Sequence, residues 1–140
     1  RLDWVLRTLR DEVFSKIPRP TLAVWGLAYK QDTHSTKNSP SLATIGALRD
    51  TPIRAYDPQV VLTPEQLAPD LKQLGSALEA CQKADALLVL TPWKQFSTED
   101  LRAVQSTMAG KTIIDPYGVL DAKKCQTLGF RYIRLGSPLC

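Results

Sequence analysis

The chain has 140 residues, a length that fits one domain able to bury a hydrophobic core without disulfides or metals. At 44% hydrophobic and 23% charged it reads as a soluble globular protein, and no apolar run approaches the ~18 residues of a membrane span, so membrane insertion is set aside. A formal charge of +4 suits an anionic partner, but the basic residues are scattered and no RNA- or DNA-binding motif is present, which argues against nucleic acid.

Leu2, Leu6, Leu9 and Val13 recur at helical spacing, so residues 1–16 are predicted to form an amphipathic helix that Pro18 and Pro20 end. The opening on Arg1 and the charged run to Ile17 fit neither a signal peptide nor a native start, and the N-terminus reads as a cut. Thr21 to Trp25 is a β-favouring run. A polar stretch from Gly26 follows, until Ser39 supplies an N-cap and Pro40 the first turn of a helix whose buried stripe is expected to be Leu42, Ile45 and Leu48.

Ile53 to Tyr56 reads as the next strand, closed by an Asp57-Pro58 turn. Residues 60–74 are expected to be an excursion of loop and short helix. Ser76 and Glu79 form a capping box for a helix to about Gln82, and Ala86 to Leu90 is the most apolar run, expected to be a central buried strand. Beyond Thr91-Pro92 come a helix from Thr98 to Met108, a strand from Thr112 to Ile114, a helix opened by Asp121 and running to Leu128, and a last strand from Phe130 to Ile133. Strands alternating with helices predict a parallel sheet covered on both faces.

In such a sheet ligands gather beyond the carboxyl ends of the strands. The loop after the first strand, residues 26–38, carries Lys30, Lys37, several hydroxyls and the chain's one histidine, His34, in a connection of unusual length. It has a single glycine, so it is neither a GxGxxG dinucleotide turn nor a phosphate-cradling P-loop. Two cations near a helix N-terminus suit phosphate, against the plainer reading of solvated surface lysines. His34 reads as a solvent-facing loop residue and Asp57 as an ordinary turn acid. Trp25 and Trp93 are equally suited to packing and to lining a nucleotide pocket. Cys81, Cys125 and Cys140 are odd in number and lack CxxC spacing, which predicts plain thiols in a reducing compartment and no metal site.

The segment Thr21 to Pro40, TLAVWGLAYKQDTHSTKNSP, resembles the V-x-G-L-A-[FY]-K-x-x-T-x-D-x-R-x-S-P signature of the UDP-glucose/GDP-mannose dehydrogenase family's C-terminal domain. Further blocks follow in the same order. Ala55-Tyr56-Asp57-Pro58 is similar to the family's V-Y-D-P, and the run from Ala84 to Trp93 to its A-D-A-[LV]-[VL]-[IV]-[LA]-T-x-W. Ile113-Ile114-Asp115 with Val119-Leu120-Asp121 resembles I-[IV]-D-x-x-x-V-[LF]-D, and Leu128 to Tyr132 the closing L-G-F-x-Y.

The resemblance implies a Rossmann-like three-layer α/β sandwich with a parallel sheet. Residues 1–17 would be the end of an interdomain helix, and 18–140 the nucleotide-sugar-binding C-terminal domain of a cytoplasmic NAD-dependent UDP- or GDP-sugar 6-dehydrogenase serving polysaccharide synthesis. NAD and the catalytic cysteine would belong to an N-terminal half, the partner of this domain, so the fragment alone is expected to be inactive and the full-length protein a homo-oligomer. Tyr29 and Lys30 fall on the family's substrate-contacting positions. Lys37 stands where an arginine usually reaches the cofactor, and it keeps the charge without the planar fork. Ser35 replaces the acid of the T-x-D stretch. Tyr117 stands where the D-G-R run has a substrate-contacting arginine, and it cannot supply that charge. These departures keep open an alternative reading, a catalytically impaired binding or interaction module of the same fold. A free-standing NAD-binding domain is disfavoured by the missing glycine fingerprint.

Overall fold

The structure is a computed structural model and describes residues 2–28, 39–48, 50–67 and 70–136. Six strands form one sheet in the order β3-β2-β1-β4-β5-β6: β1 (Leu22–Trp25), β2 (Ile53–Tyr56), β3 (Leu71–Gln73), β4 (Ala86–Val89), β5 (Thr112–Ile114) and β6 (Arg131–Ile133). Every neighbouring pair is parallel. The two innermost strands, β1 and β4, are buried along their whole length, which is why their sequences, LAVW and ALLV, are continuous rather than alternating apolar runs. β2 lies one strand further out and alternates buried with half-buried residues.

The helices are α1 (Leu2–Leu9), α2 (Pro40–Ala47), α3 (Ala77–Ala80), α4 (Leu101–Thr107) and α5 (Ala122–Thr127). With crossovers of the usual right hand, this strand order puts α2 on one face of the sheet and α3, α4 and α5 on the other. Consistent with that layering, α1 packs on α2, α3 packs on α4, and α5 packs on β6. The α/β sandwich expected from the sequence is therefore the observed architecture.

Several details differ from the sequence expectation. After α1 the chain continues as a π-helical turn, Arg10–Phe14, and the buried stripe is Val5, Leu9 and Val13, with Leu2 and Leu6 half-buried. Glu12 in this segment meets Arg131 of β6 at two points, Nε to Oε1 at 2.7 Å and Nη2 to Oε2 at 3.2 Å, which ties the first helical segment to the last strand. In α2 the buried positions are Ser41 and Thr44, with Leu48 buried at the C-cap, while Leu42 and Ile45 are only half-buried, because the side facing the sheet's carboxyl edge carries short polar side chains, of which Ser41 bonds to Thr91 and Thr44 back to Pro40 O.

Within residues 60–74 the chain adds β3 as an edge strand where a short helix was expected. Three residues with one buried position, Leu71, are too few to show an alternating pattern. The helix expected from Thr98 to Met108 starts instead at Leu101, after a 3₁₀ turn, Lys94–Thr98, because Asp100 caps α4 by accepting from the Arg102 and Ala103 amides. The caps read at Ser39, Ser76 and Asp121 are all formed. Trp25 is fully buried, donates its indole N–H to Ala77 O at 2.9 Å and lies 5.2 Å from the Phe96 ring, so it is a core residue.

Candidate functional site

Chain direction across the sheet reverses between β1 and β4, and the crevice beyond their carboxyl ends is where sheets of this order receive ligands. Here the two strand ends abut. Gly26 leaves β1 with φ +106°, its N–H on Tyr56 O at 2.8 Å, and an added Cβ would stand 2.5 Å from both the Thr91 Cβ and the Thr91 N. Only glycine meets both conditions, so this glycine is explained by the crossing of two chains rather than by a phosphate turn.

The next two residues have all four backbone polar groups taken by side chains. The Leu27 and Ala28 N–H groups donate to Asp57 Oδ2 at 2.7 and 3.1 Å. Leu27 O accepts from Ser39 Oγ at 2.9 Å, and Ala28 O accepts from Thr91 Oγ1 at 3.0 Å. Since the Thr91 hydroxyl gives its one proton to Ala28, the Ser41 hydroxyl 3.2 Å away is the donor to Thr91 Oγ1. Ser39 also accepts from the Leu42 N–H, so one side chain caps α2 and grips the chain leaving β1.

Asp57 is the centre of this arrangement. It is 6% exposed and accepts five hydrogen bonds. Oδ1 takes the Gln59 and Val60 amides, both at 2.8 Å, which is the turn expected from the sequence. Oδ2 takes Leu27, Ala28 and the Trp93 indole N–H at 3.1 Å, which was not expected. A carboxylate offers about four lone-pair directions, and five donors fill them.

In dinucleotide-binding sheets of this order an acid takes a ribose hydroxyl and the backbone after β1 faces the pyrophosphate. In this chain the acid after β2 and the Leu27 and Ala28 amides have taken each other. The described residues therefore do not fit the adenosine half of NAD. Trp93, 5% exposed, is a buried partner of Asp57 rather than an open pocket wall.

At the end of β5, Asp115 is fully buried; its Oδ2 accepts from Leu120 N at 2.8 Å and from the Tyr132 hydroxyl at 2.7 Å. Oδ1 is buried without a partner among the described residues. Burial, then the bond to Asp115, pushes the Tyr132 phenol well above its ordinary value, so it stays a neutral donor. These bonds hold the following loop, in which Tyr117 is 37% exposed and lines a small cavity with Leu2, Val5, Pro40, Thr44 and Leu90. Tyr117 is thus brought beside the first residue of α2. Gly118 has φ +65°, and the Arg134 guanidinium lies against it, with Cζ 2.9 Å from where a Cβ would be.

Tyr29, Lys30, His34, Ser35 and Lys37 lie outside the described residues, as does Cys140; the chain that leaves at Ala28 and returns at Ser39 is fixed at both ends by the bonds above. Cys81 and Cys125 are buried free thiols, each pushed up to about 12 chiefly by burial, as plain structural cysteines are. Reading the sequence missed Asp57, Thr91 and Ser41 as parts of the site. The available signal was an acid directly after β2 and a threonine two residues after β4, the two strands on either side of β1.

Comparison with known proteins agrees with this geometry. Residues 23–122 match the UDP-glucose/GDP-mannose dehydrogenase family, UDP binding domain. A UDP-glucose 6-dehydrogenase from Rickettsia bellii is 31% identical over 138 residues, covering 96% of this chain and 31% of the relative. One from Rhizobium meliloti is 32% identical over 119 residues, covering 84% and 27%. Among solved structures, the UDP-D-ManNAc dehydrogenase of Pyrococcus horikoshii superposes with a TM-score of 0.75 at 27% identity, covering 94% of this chain and 30% of that one. The chain spans about three-tenths of the length of these relatives. It belongs to the UDP-glucose/GDP-mannose dehydrogenase family and matches that family's UDP binding domain.

Proposed function

We propose that this chain holds the nucleotide end of a UDP-sugar within an NAD-dependent 6-dehydrogenase that converts the sugar C6 hydroxyl to a carboxylate. The observation that carries the reading is the match of residues 23–122 to a UDP binding domain, on a fold whose switch-point crevice is built from internally satisfied polar groups. The relatives' names favour uridine over guanosine nucleotides.

In this reading Tyr29 and Lys30 contact the substrate, with a charge-assisted bond from Lys30, and Tyr117 contributes ring contact from the β5 loop. Lys37 faces the cofactor, which the rest of the enzyme binds. NAD would supply the hydride acceptor; the residues of this chain bind and orient the substrate and help exclude water. Residues 1–17 are the end of an interdomain helix and 18–140 the C-terminal domain of a cytoplasmic homo-oligomer that makes acidic sugars for polysaccharides. The isolated segment is inactive because the chemistry belongs to the other half.

A catalytically impaired module is the weaker reading. Its motive is the absence of a positive charge at Tyr117, yet the Arg134 guanidinium lies against Gly118 of the same loop, so a cation is present at this edge.

A thermal-shift series with UDP, GDP and NAD tests the proposal, since a ligand that binds only the folded state raises the unfolding midpoint. UDP is expected to raise it in a concentration-dependent way and NAD to leave it unmoved. A shift with NAD alone would overturn the reading.

A further inference from the structure

We infer that Asp57 is the positioning residue of this nucleotide site: its carboxylate fixes the direction in which the chain leaves β1 at the switch point, and through that the affinity for UDP. The inference rests on the UDP-binding reading above. An acid that merely closes a turn needs only the two bonds made by Oδ1, to Gln59 and Val60. The three bonds of Oδ2 all go elsewhere, to two backbone amides that follow β1 and to an indole that follows β4. One buried carboxylate thereby ties together the loops that follow β1, β2 and β4.

The Leu27 and Ala28 amides are aimed at a common point, an arrangement that recruits an anion. In a glycine-rich turn that anion is the ligand's pyrophosphate. Here it is Asp57, an internal anion already in place before any ligand arrives. These two amides are consumed and cannot serve a bound diphosphate, and the role of the β1 turn becomes to hold Leu27 and Ala28 in one conformation at the edge of the site. Ser39 and Thr91, which hold the two carbonyls of the same dipeptide, complete the clamp. The cost of burying a carboxylate is met only while its donors are present, which makes the clamp cooperative.

Asp57→Asn keeps the side chain's size but leaves one acceptor oxygen and places an NH2 group against N–H donors, so one of the two sets of bonds must break. The test uses the isotope-labelled chain, with UDP as the probe. The variant is expected to unfold cooperatively, to lose hydrogen-exchange protection at the Leu27 and Ala28 amides, to shift the Trp93 indole resonance, and to bind UDP about tenfold more weakly. UDP affinity within about twofold of the parent, with the indole resonance shifted, would overturn the inference, because a merely structural acid would give that pattern.

Should Asp57→Asn fail to fold, Trp93→Phe decides, since it removes one donor and keeps an aromatic ring. It is expected to weaken UDP about threefold and to lower protection at Leu27 and Ala28, and unchanged affinity overturns the inference. A parent chain that ignores UDP sinks the functional reading instead. The hold of Asp57 on the β1 turn is then decided by amide protection alone, and protection that survives the substitution overturns it.

Discussion

Gly26 and Thr91 stand so close that a Cβ on the glycine would lie 2.5 Å from the threonine Cβ and 2.6 Å from its Oγ1. The contact brings the Thr91 hydroxyl to Ala28 O, and it exists because β1 and β4 are adjacent while their chains continue in opposite directions across the sheet. Gly26→Ala would meet both the positive φ of +106° and the wall formed by Thr91. A loss of about 3 kcal/mol of folding stability is expected by urea titration, with nucleotide binding lost in the same variant. A loss below about 0.5 kcal/mol, the range of an ordinary surface change, would show that the two loops can separate.

Arg134→Ala tests whether the cation at the β5 edge acts on the ligand. Arg134 is exposed, and its guanidinium lies on Gly118, so its removal should leave the fold intact. UDP affinity is expected to fall about fivefold, more at low salt than at high salt, as for any exposed charge that meets a phosphate. Uridine, which lacks the phosphates, should bind parent and variant alike, and calorimetry with both ligands checks the pair.

The two-point Glu12–Arg131 contact gives a pH-dependent contribution. The hydrogen bond from Arg131, ahead of its Coulombic attraction, holds the Glu12 carboxyl below its ordinary value of 4.5. Its stabilisation is therefore complete above that value and is lost as pH falls through the lower, folded value. With Arg131 37% exposed the pair is partly screened, so Glu12→Gln is expected to cost about 1 kcal/mol at pH 7. Below the folded value parent and variant should converge in chemical denaturation. A difference that persisted there would mean that packing, not charge, carries the contact.

Burial raises the thiols of Cys81 and Cys125 to about 12. In the native chain at pH 8 neither should react with iodoacetamide over an hour, whereas both should react once the chain is denatured at the same pH. Peptide mass spectrometry reads the outcome, and native labelling of either would show an opening that the packing does not suggest.

The sheet and its order of elements were legible because β1 and β4 are unbroken apolar runs and because Ser39, Ser76 and Asp121 are caps with the right residues after them. β3 was not legible, since a three-residue edge strand has too little pattern to announce itself. The side of α2 that faces the site was misread for a chemical reason. Helical spacing favours Leu42 and Ile45, whereas the structure buries Ser41 and Thr44, whose hydroxyls bond to Thr91 Oγ1 and Pro40 O. Asp57 was legible as a turn but not as a five-bonded centre, because three of its donors come from residues about thirty positions away or more. Tyr117 lies beside Pro40 and Leu90, while Tyr29, Lys30 and Lys37 lie outside the described residues.

The central claim, that this chain holds the uridine end of a nucleotide sugar at the carboxyl edge of β1, is tested most directly by NMR titration with UDP-glucose and GDP-mannose in parallel. Saturable shifts with UDP-glucose are expected at Leu27, Ala28 and the residues that follow, weaker or absent with GDP-mannose, and strongly reduced by Lys30→Ala. Shifts confined to residues remote from that edge, or an equal response in Lys30→Ala, would contradict the account.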